Sequence, residues 1–134
     1  MTGDGFRFQA PKAWIVSHKD NSASAVNGPV DRVEVLRFTL EKAYRPALFP
    51  AASRELDGVI AGIAKQLSGR IAGRSTVRIG GRRARSYRIE YGPGKSQEIA
   101  FVLEDRTEYQ LLCRRPSNQS DEICRQLFTS FALS

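Results

Sequence analysis

Between Thr76 and Cys113 the chain alternates short β-forming runs with turn residues at close intervals, a pattern that only an antiparallel sheet satisfies well. Val77 to Ile79 meets Gly80-Gly81, Arg82 to Tyr91 meets Gly92-Pro93-Gly94, Ser96 to Glu104 meets Asp105-Arg106, and Tyr109 to Cys113 runs to Pro116. The expectation is a four-strand β-meander. Within it, Ile99-Ala100-Phe101-Val102-Leu103 is a continuous apolar run, which places this strand in the middle of the sheet with both faces covered and Phe101 in the core.

The remainder of the chain supplies strands before the meander and helices on either side of it. Phe6-Arg7-Phe8 alternates apolar and polar residues, and Ala10-Pro11-Lys12-Ala13 turns it toward Trp14-Ile15-Val16, so an opening hairpin is expected. Ser17 to Pro29 is small and polar and reads as a surface loop. Val30 to Leu40 reads as a strand, with Val33 and Val35 on one face and Leu36, Phe38 and Leu40 on the other. After Arg45-Pro46 and Phe49-Pro50, Ser53 offers an N-cap to a helix ending near Ser68, with Gly69 as its stop. Leu56, Val59, Ile60, Ile63, Ala64 and Leu67 form its apolar stripe. A second helix, from about Ser120, turns Ile123, Leu127, Phe128 and Phe131 inward. The fold class predicted is α+β: an antiparallel sheet of about six strands with helices packed on it, spanning residues 1–134 as a single domain.

With 41% apolar and 26% charged residues the composition is that of an ordinary folded domain. No apolar run approaches the roughly 18 residues of a membrane span. Met1-Thr2-Gly3-Asp4 does not begin a signal segment, so the sequence as given is expected to be soluble. A leader or lipid anchor removed upstream would leave no trace.

The residue types that carry chemistry are sparse. His18 is the only histidine and stands beside Lys19-Asp20, with no nucleophile or further ligands at triad or metal spacing. The acidic pairs Glu104-Asp105 and Asp121-Glu122 fall at a turn and in the first turn of a helix, where aspartate and glutamate serve local structure. The glycine-rich turns join strand to strand and open no helix, which excludes a phosphate loop. The expectation is therefore no catalytic residues, no metal, no cofactor and no enzyme activity.

The charge, in contrast, is concentrated. Gly58 to Ile89 holds eight basic residues and no acidic one, so against a chain total of +7 the rest of the molecule nets −1. Arg78, Arg82, Arg83, Arg85 and Arg88 are the candidate anion-binding face. If the Gly80-Gly81 turn takes a third loop residue, Arg78 and Arg88 share a face with Ala84 and Ser86. A two-residue turn gathers Arg74, Arg78, Arg83 and Arg85 instead. Arginine forks suit phosphate, sulfate and carboxylate, although a solvated face on a basic protein has the same composition. Nucleic acid fits poorly, because the aromatics that would stack on bases are absent except for Tyr87 and Tyr91, which are better used as core.

The order of hairpin, long strand, helix, meander and terminal helix resembles the PsbP-like fold family. The residues that carry the resemblance are Gly5-Phe6-Arg7-Phe8-Gln9-Ala10-Pro11-Lys12-Ala13-Trp14, Ile79-Gly80-Gly81-Arg82-Arg83-Ala84, Thr107-Glu108-Tyr109-Gln110-Leu111 and Ser130-Phe131-Ala132-Leu133. The family contains an extrinsic photosystem II subunit, a Ran-GTPase-binding protein and bacterial envelope lipoproteins of the LpqN and DcrB sort. The resemblance, closest to the envelope members, implies a non-catalytic binding or accessory role, with a protein or an anionic envelope component as partner and a monomeric state. The alternative is a cytoplasmic anion or nucleic-acid binder using the arginine face. Cys113 shares the inward face of its strand with Tyr109 and Leu111, and Cys124 lies beside Ile123 and Leu127 on a helix that must fold back over the sheet. A Cys113–Cys124 disulfide is expected, and with it an extracytoplasmic location.

Overall fold

Turns at Gly80-Gly81 and Gly92-Pro93-Gly94 set up two of the strand pairings, and a computed structural model describing residues 1–134 builds them into a six-stranded antiparallel sheet. In chain order the elements are β1 (Thr2–Gly3), β2 (Phe6–Arg7), β3 (Ile15–Lys19), β4 (Ser22–Asn27), β5 (Asp31–Tyr44) and a 3-10 turn at Pro46–Leu48. There follow α1 (Phe49–Gln66), β6 (Arg70–Ile79), β7 (Arg82–Tyr91), β8 (Lys95–Pro116), α2 (Glu122–Ser130) and β9 (Ala132–Leu133). The large sheet runs β3-β4-β5-β8-β7-β6, while β1, β2 and β9 form a small sheet that brings the two ends of the chain together. The fold is α+β, as expected.

The middle of the sheet is β8, and it departs from the expected meander. Asp105-Arg106 is not a reversal: Lys95 to Pro116 is one strand, so the meander has three strands, β6 to β8. The first half of β8 pairs with β7, from Lys95 opposite Tyr91 to Phe101 opposite Arg85, and the second half pairs with β5, from Thr107 opposite Thr39 to Arg114 opposite Arg32. Asp105 takes φ +51, a left-handed conformation that aspartate tolerates better than most L-residues, and the pairing with β5 is irregular between Thr39 and Tyr44. The inward residues accordingly change parity, being Ala100 and Val102 before it and Tyr109, Leu111 and Cys113 after it. One residue shifts the phase of the strand without turning the chain.

Four further expectations are corrected. Phe6–Phe8 does not pair with Trp14–Val16; β2 joins β1 and β9, and β3 pairs with β4. The polar stretch Ser17 to Pro29 is largely a hairpin, not a loop, because its small residues fit a tight sheet interior: Ala23 and Ala25 lie fully buried opposite Val35 and Val33. In α1 the N-cap is Leu48 and not Ser53; no side chain caps the helix, and Ser53 lies inside it. Its stop is Ser68 at φ +53, followed by a Gly69 N–H bond to the Ala64 carbonyl at 2.8 Å. Gly69 is instead required for space, since a Cβ there would lie 2.6 Å from the Glu90 carbonyl oxygen. Gly58 and Gly62 have open space around them, so close packing does not explain them.

Each helix covers one face of the sheet. On one side, Leu56, Ile60 and Ala64 of α1 pack on Tyr87, Ile89, Ile99 and Phe101. On the other, Cys124 and Leu127 of α2, with Phe131, pack on Ala84, Ala100, Val102, Leu111 and Cys113, and Phe6 and Phe8 close the same core. Ile99 to Val102 are all buried between these layers, as the continuous apolar run requires.

Candidate functional site

The β6–β7 turn is the two-residue kind. Gly80 and Gly81 take φ +59 and +79 and Ile79 pairs with Arg82, which selects the second of the two registers open in the sequence. Arg78 stands opposite Arg83 and Thr76 opposite Arg85 on the side of the sheet that carries α1, together with Arg74 opposite Tyr87. Arg82 and Arg88 alternate onto the α2 side. The five candidate arginines therefore divide between two faces, three and two.

They also differ in what neutralises them. Arg82 pairs with Glu104, Arg85 lies 3.3 Å from Asp57, and Arg88 lies 3.2 Å from Glu90, whereas Arg78 and Arg83 are in no ion pair. Arg78 donates to the Gly81 carbonyl at 3.0 Å; Arg83 donates to the Pro46 carbonyl at 3.2 Å and stacks 4.5 Å over the Phe49 ring. Like charges directly opposite each other on a sheet repel, so this pair leaves a local excess of positive charge. The adjoining start of α1 has no acidic residue in its first turn to offset it.

Behind this pair a polar latch joins α1 to the sheet. The Tyr87 hydroxyl donates to Asp57, and Arg85 Nε lies 3.3 Å from both Asp57 Oδ1 and the Tyr87 oxygen. The hydrogen bond from Tyr87, with Arg85 adding to it, holds the Asp57 carboxyl below its usual range. Burial, reinforced by the bond to Asp57, pushes the Tyr87 phenol up to about 12. Both shifts move these groups away from proton exchange near neutrality, which suits a structural latch and not an acid–base pair. On the far half of the sheet, hydrogen bonding from Ser96 lowers Glu90, while burial raises Glu98 in spite of Arg115 at 3.5 Å.

Beside the arginines runs a groove that the sequence did not announce. The α1 stripe predicts a buried Val59, yet this residue is 48% exposed, as is Leu48. The α1 stripe packs on β7 and β8, and Val59 shares a gap with the Leu40–Tyr44 end of β5. The gap, of about 550 Å³, is lined by Leu40, Ala43, Leu48, Leu56, Val59 and Leu103, with Glu41, Lys42, Glu55 and Glu108 around it. A second hollow of about 290 Å³ is lined by Arg78, Arg82 and Arg83 from the hairpin and Glu104 and Asp105 from β8. Tyr44 and Leu103 line both, so the two are adjacent. Burial raises the Tyr44 phenol, with Arg83 opposing the shift. Apolar residues at Leu48 and Val59, along one edge of α1, are the only trace of the groove in the sequence.

Cys113 and Cys124 form a disulfide with a Cα–Cα distance of 5.4 Å and are both buried, tying β8 to α2. His18 is exposed on β3, and no cluster of three or more histidine, cysteine or acidic side chains is placed to hold a metal. No helix is long and apolar enough to cross a membrane.

Fold and site together define an α+β domain with a disulfide-tied sheet and a groove bounded by arginines. A crystal structure from Bacteroides thetaiotaomicron is similar to it, with a TM-score of 0.66 and 12% identity, over 100% of this chain and 47% of that one. The chain thus spans about half the length of that protein, and at this identity the likeness is one of fold. Neither a scan against protein-family models nor a search of curated proteins finds a match.

Proposed function

We propose that this chain is a non-catalytic, monomeric binding or accessory domain of the bacterial cell envelope, in keeping with its resemblance to the PsbP-like lipoproteins. The observation that carries the reading is the Cys113–Cys124 disulfide, because a buried structural disulfide persists in oxidising compartments and is rare in reducing ones. The shifts of Asp57 and Tyr87, both away from neutral pH, support a structural role for those two groups. Protease accessibility in intact cells and spheroplasts of the source bacterium tests the location. Digestion of the protein in spheroplasts with the membrane intact is expected. Protection until lysis, alongside a cytoplasmic marker, would return the chain to the cytoplasm.

A second reading, an anion binder, is favoured by Arg78 and Arg83, which face each other with no acidic partner. Binding driven by those charges must weaken steeply as salt rises, whereas an apolar or hydrogen-bonded partner resists it.

A further inference from the structure

We infer that the arginine hollow and the apolar groove beside it are one site, which takes an anionic amphiphile. Its head, a carboxylate, phosphate or sulfate, lies between Arg78 and Arg83, and its hydrocarbon chain lies between α1 and the Leu40–Tyr44 end of β5. This deepens the binding reading above and rests on it, but not on the compartment.

Three observations converge. The first is adjacency: Tyr44 and Leu103 line both hollows, so the path from one to the other runs past these two shared residues. Together they fall within the size range of small-molecule sites, about 300–1,000 Å³. The second is the abrupt change of chemistry along that path. The groove is mostly hydrocarbon, from Leu40, Leu48, Val59 and Leu103, and ends at guanidinium groups. Leu48 and Val59, each half exposed, lie on the same groove and make its apolar patch contiguous.

The third is that the positive end is unfinished. Arg78 and Arg83 repel across the strands, and each spends part of its fork on a backbone carbonyl that fixes its position. Arginine has five donors, so both retain donors for an oxyanion bridging them. Glu104 and Asp105 of β8 also line the hollow, and Glu104 is engaged by Arg82. A neutral lipid would leave the like-charged pair uncompensated, and a free small anion would leave the groove in water. Only a molecule with both parts answers both features.

The test is titration of the isotope-labelled chain, followed by amide chemical shifts, with monomeric probes below their micellar concentrations. The probes are myristate, lyso-phosphatidylglycerol, a neutral maltoside of equal chain length and inorganic phosphate. The expected result is saturable binding of the two anionic amphiphiles, with shifts at Tyr44, Leu56, Val59, Arg83 and Leu103. The maltoside and phosphate should each bind at least about tenfold more weakly, since each lacks one half of the contacts. Myristate and lyso-phosphatidylglycerol bound alike mean that the anionic head is read as charge; a preference for the latter assigns the phosphate.

Two exposed-site variants separate the halves of the site without touching the core. Arg83→Gln should weaken the anionic amphiphiles at least about tenfold and leave the maltoside unchanged. Val59→Asp should abolish binding of all three chains, and both variants should keep the wild-type pattern of shifts elsewhere. Equal affinity for maltoside and myristate, or shifts confined to the arginines, would overturn the inference. So would silence toward every amphiphile combined with binding of an acidic amphipathic peptide at the same residues, which would assign the groove to a protein segment. Each of those results leaves the protease-accessibility outcome untouched, so failure here and failure of the envelope reading are told apart.

Discussion

Tyr87 illustrates how one side chain joins two layers: its ring is buried under α1, 6.1 Å from Phe101 in an edge-on contact, while its hydroxyl reaches Asp57 on the helix itself. Replacing it with phenylalanine keeps the ring and removes the bond, which should cost about 1.5 kcal/mol, the low end for hydrogen bonds to charged groups because Asp57 is partly exposed. The pH dependence has a defined sign on each flank. Asp57 is depressed in the fold, so its stabilisation is present above the ordinary aspartate pKa and is lost as pH falls through the lower folded value. Tyr87 is raised, so its share is present below the ordinary tyrosine pKa and is lost as pH climbs toward about 12. Denaturation midpoints across pH should therefore fall more steeply at both extremes for wild type than for Tyr87→Phe. Parallel curves would mean that the latch contributes nothing. Phe101→Ala, in contrast, should cost about 3–5 kcal/mol at every pH, because it empties volume between the helix and the sheet. These residues differ in how legible they are: the apolar run around Phe101 declares burial, whereas the partner of Tyr87 lies 30 positions away and no local pattern links them.

At the scale of elements, legibility followed hydrophobic period. The strand of Val33 and Val35 and the helix stripe at Leu56, Ile60 and Ala64 could be read from their spacing, and the double-sided strand at Ile99–Val102 from a short apolar run bounded by turn residues. What misled was punctuation. Asp105-Arg106 has turn composition, but aspartate in a left-handed conformation serves a bulge as well as a turn, and only the pairing partners on either side distinguish them. Ser22-Ala23-Ser24-Ala25 has loop composition, yet small side chains are what a strand needs when its neighbours crowd both faces. The groove was illegible for a related reason, since the stripe of α1 says which residues are apolar but not where the sheet beneath them stops. Asp105 carries a direct test. Asp105→Gly should leave stability within about 0.5 kcal/mol or raise it, whereas Asp105→Val should lower it by about 1–2 kcal/mol through left-handed strain. Thermal melts in which valine is harmless would mean that the bulge does not depend on that conformation.

The molecule as a whole is two cores on opposite faces of a sheet whose central strand belongs to both, with the chain ends paired through β2 and β9. The α2 core is closed covalently by Cys113–Cys124, only 11 residues apart in sequence. Closing so short a loop stabilises the fold by roughly 3 kcal/mol through the entropy of the unfolded chain. That contribution exists only where thiols are oxidised, which ties the stability of the domain to its compartment. The most direct measurement is to quench the source cells in acid, alkylate the denatured protein without reductant and record its intact mass. The account predicts a mass with no alkyl group added and two added after reduction. Two alkylated thiols in the unreduced sample would contradict it, removing the bond from the living protein and with it the case for the envelope.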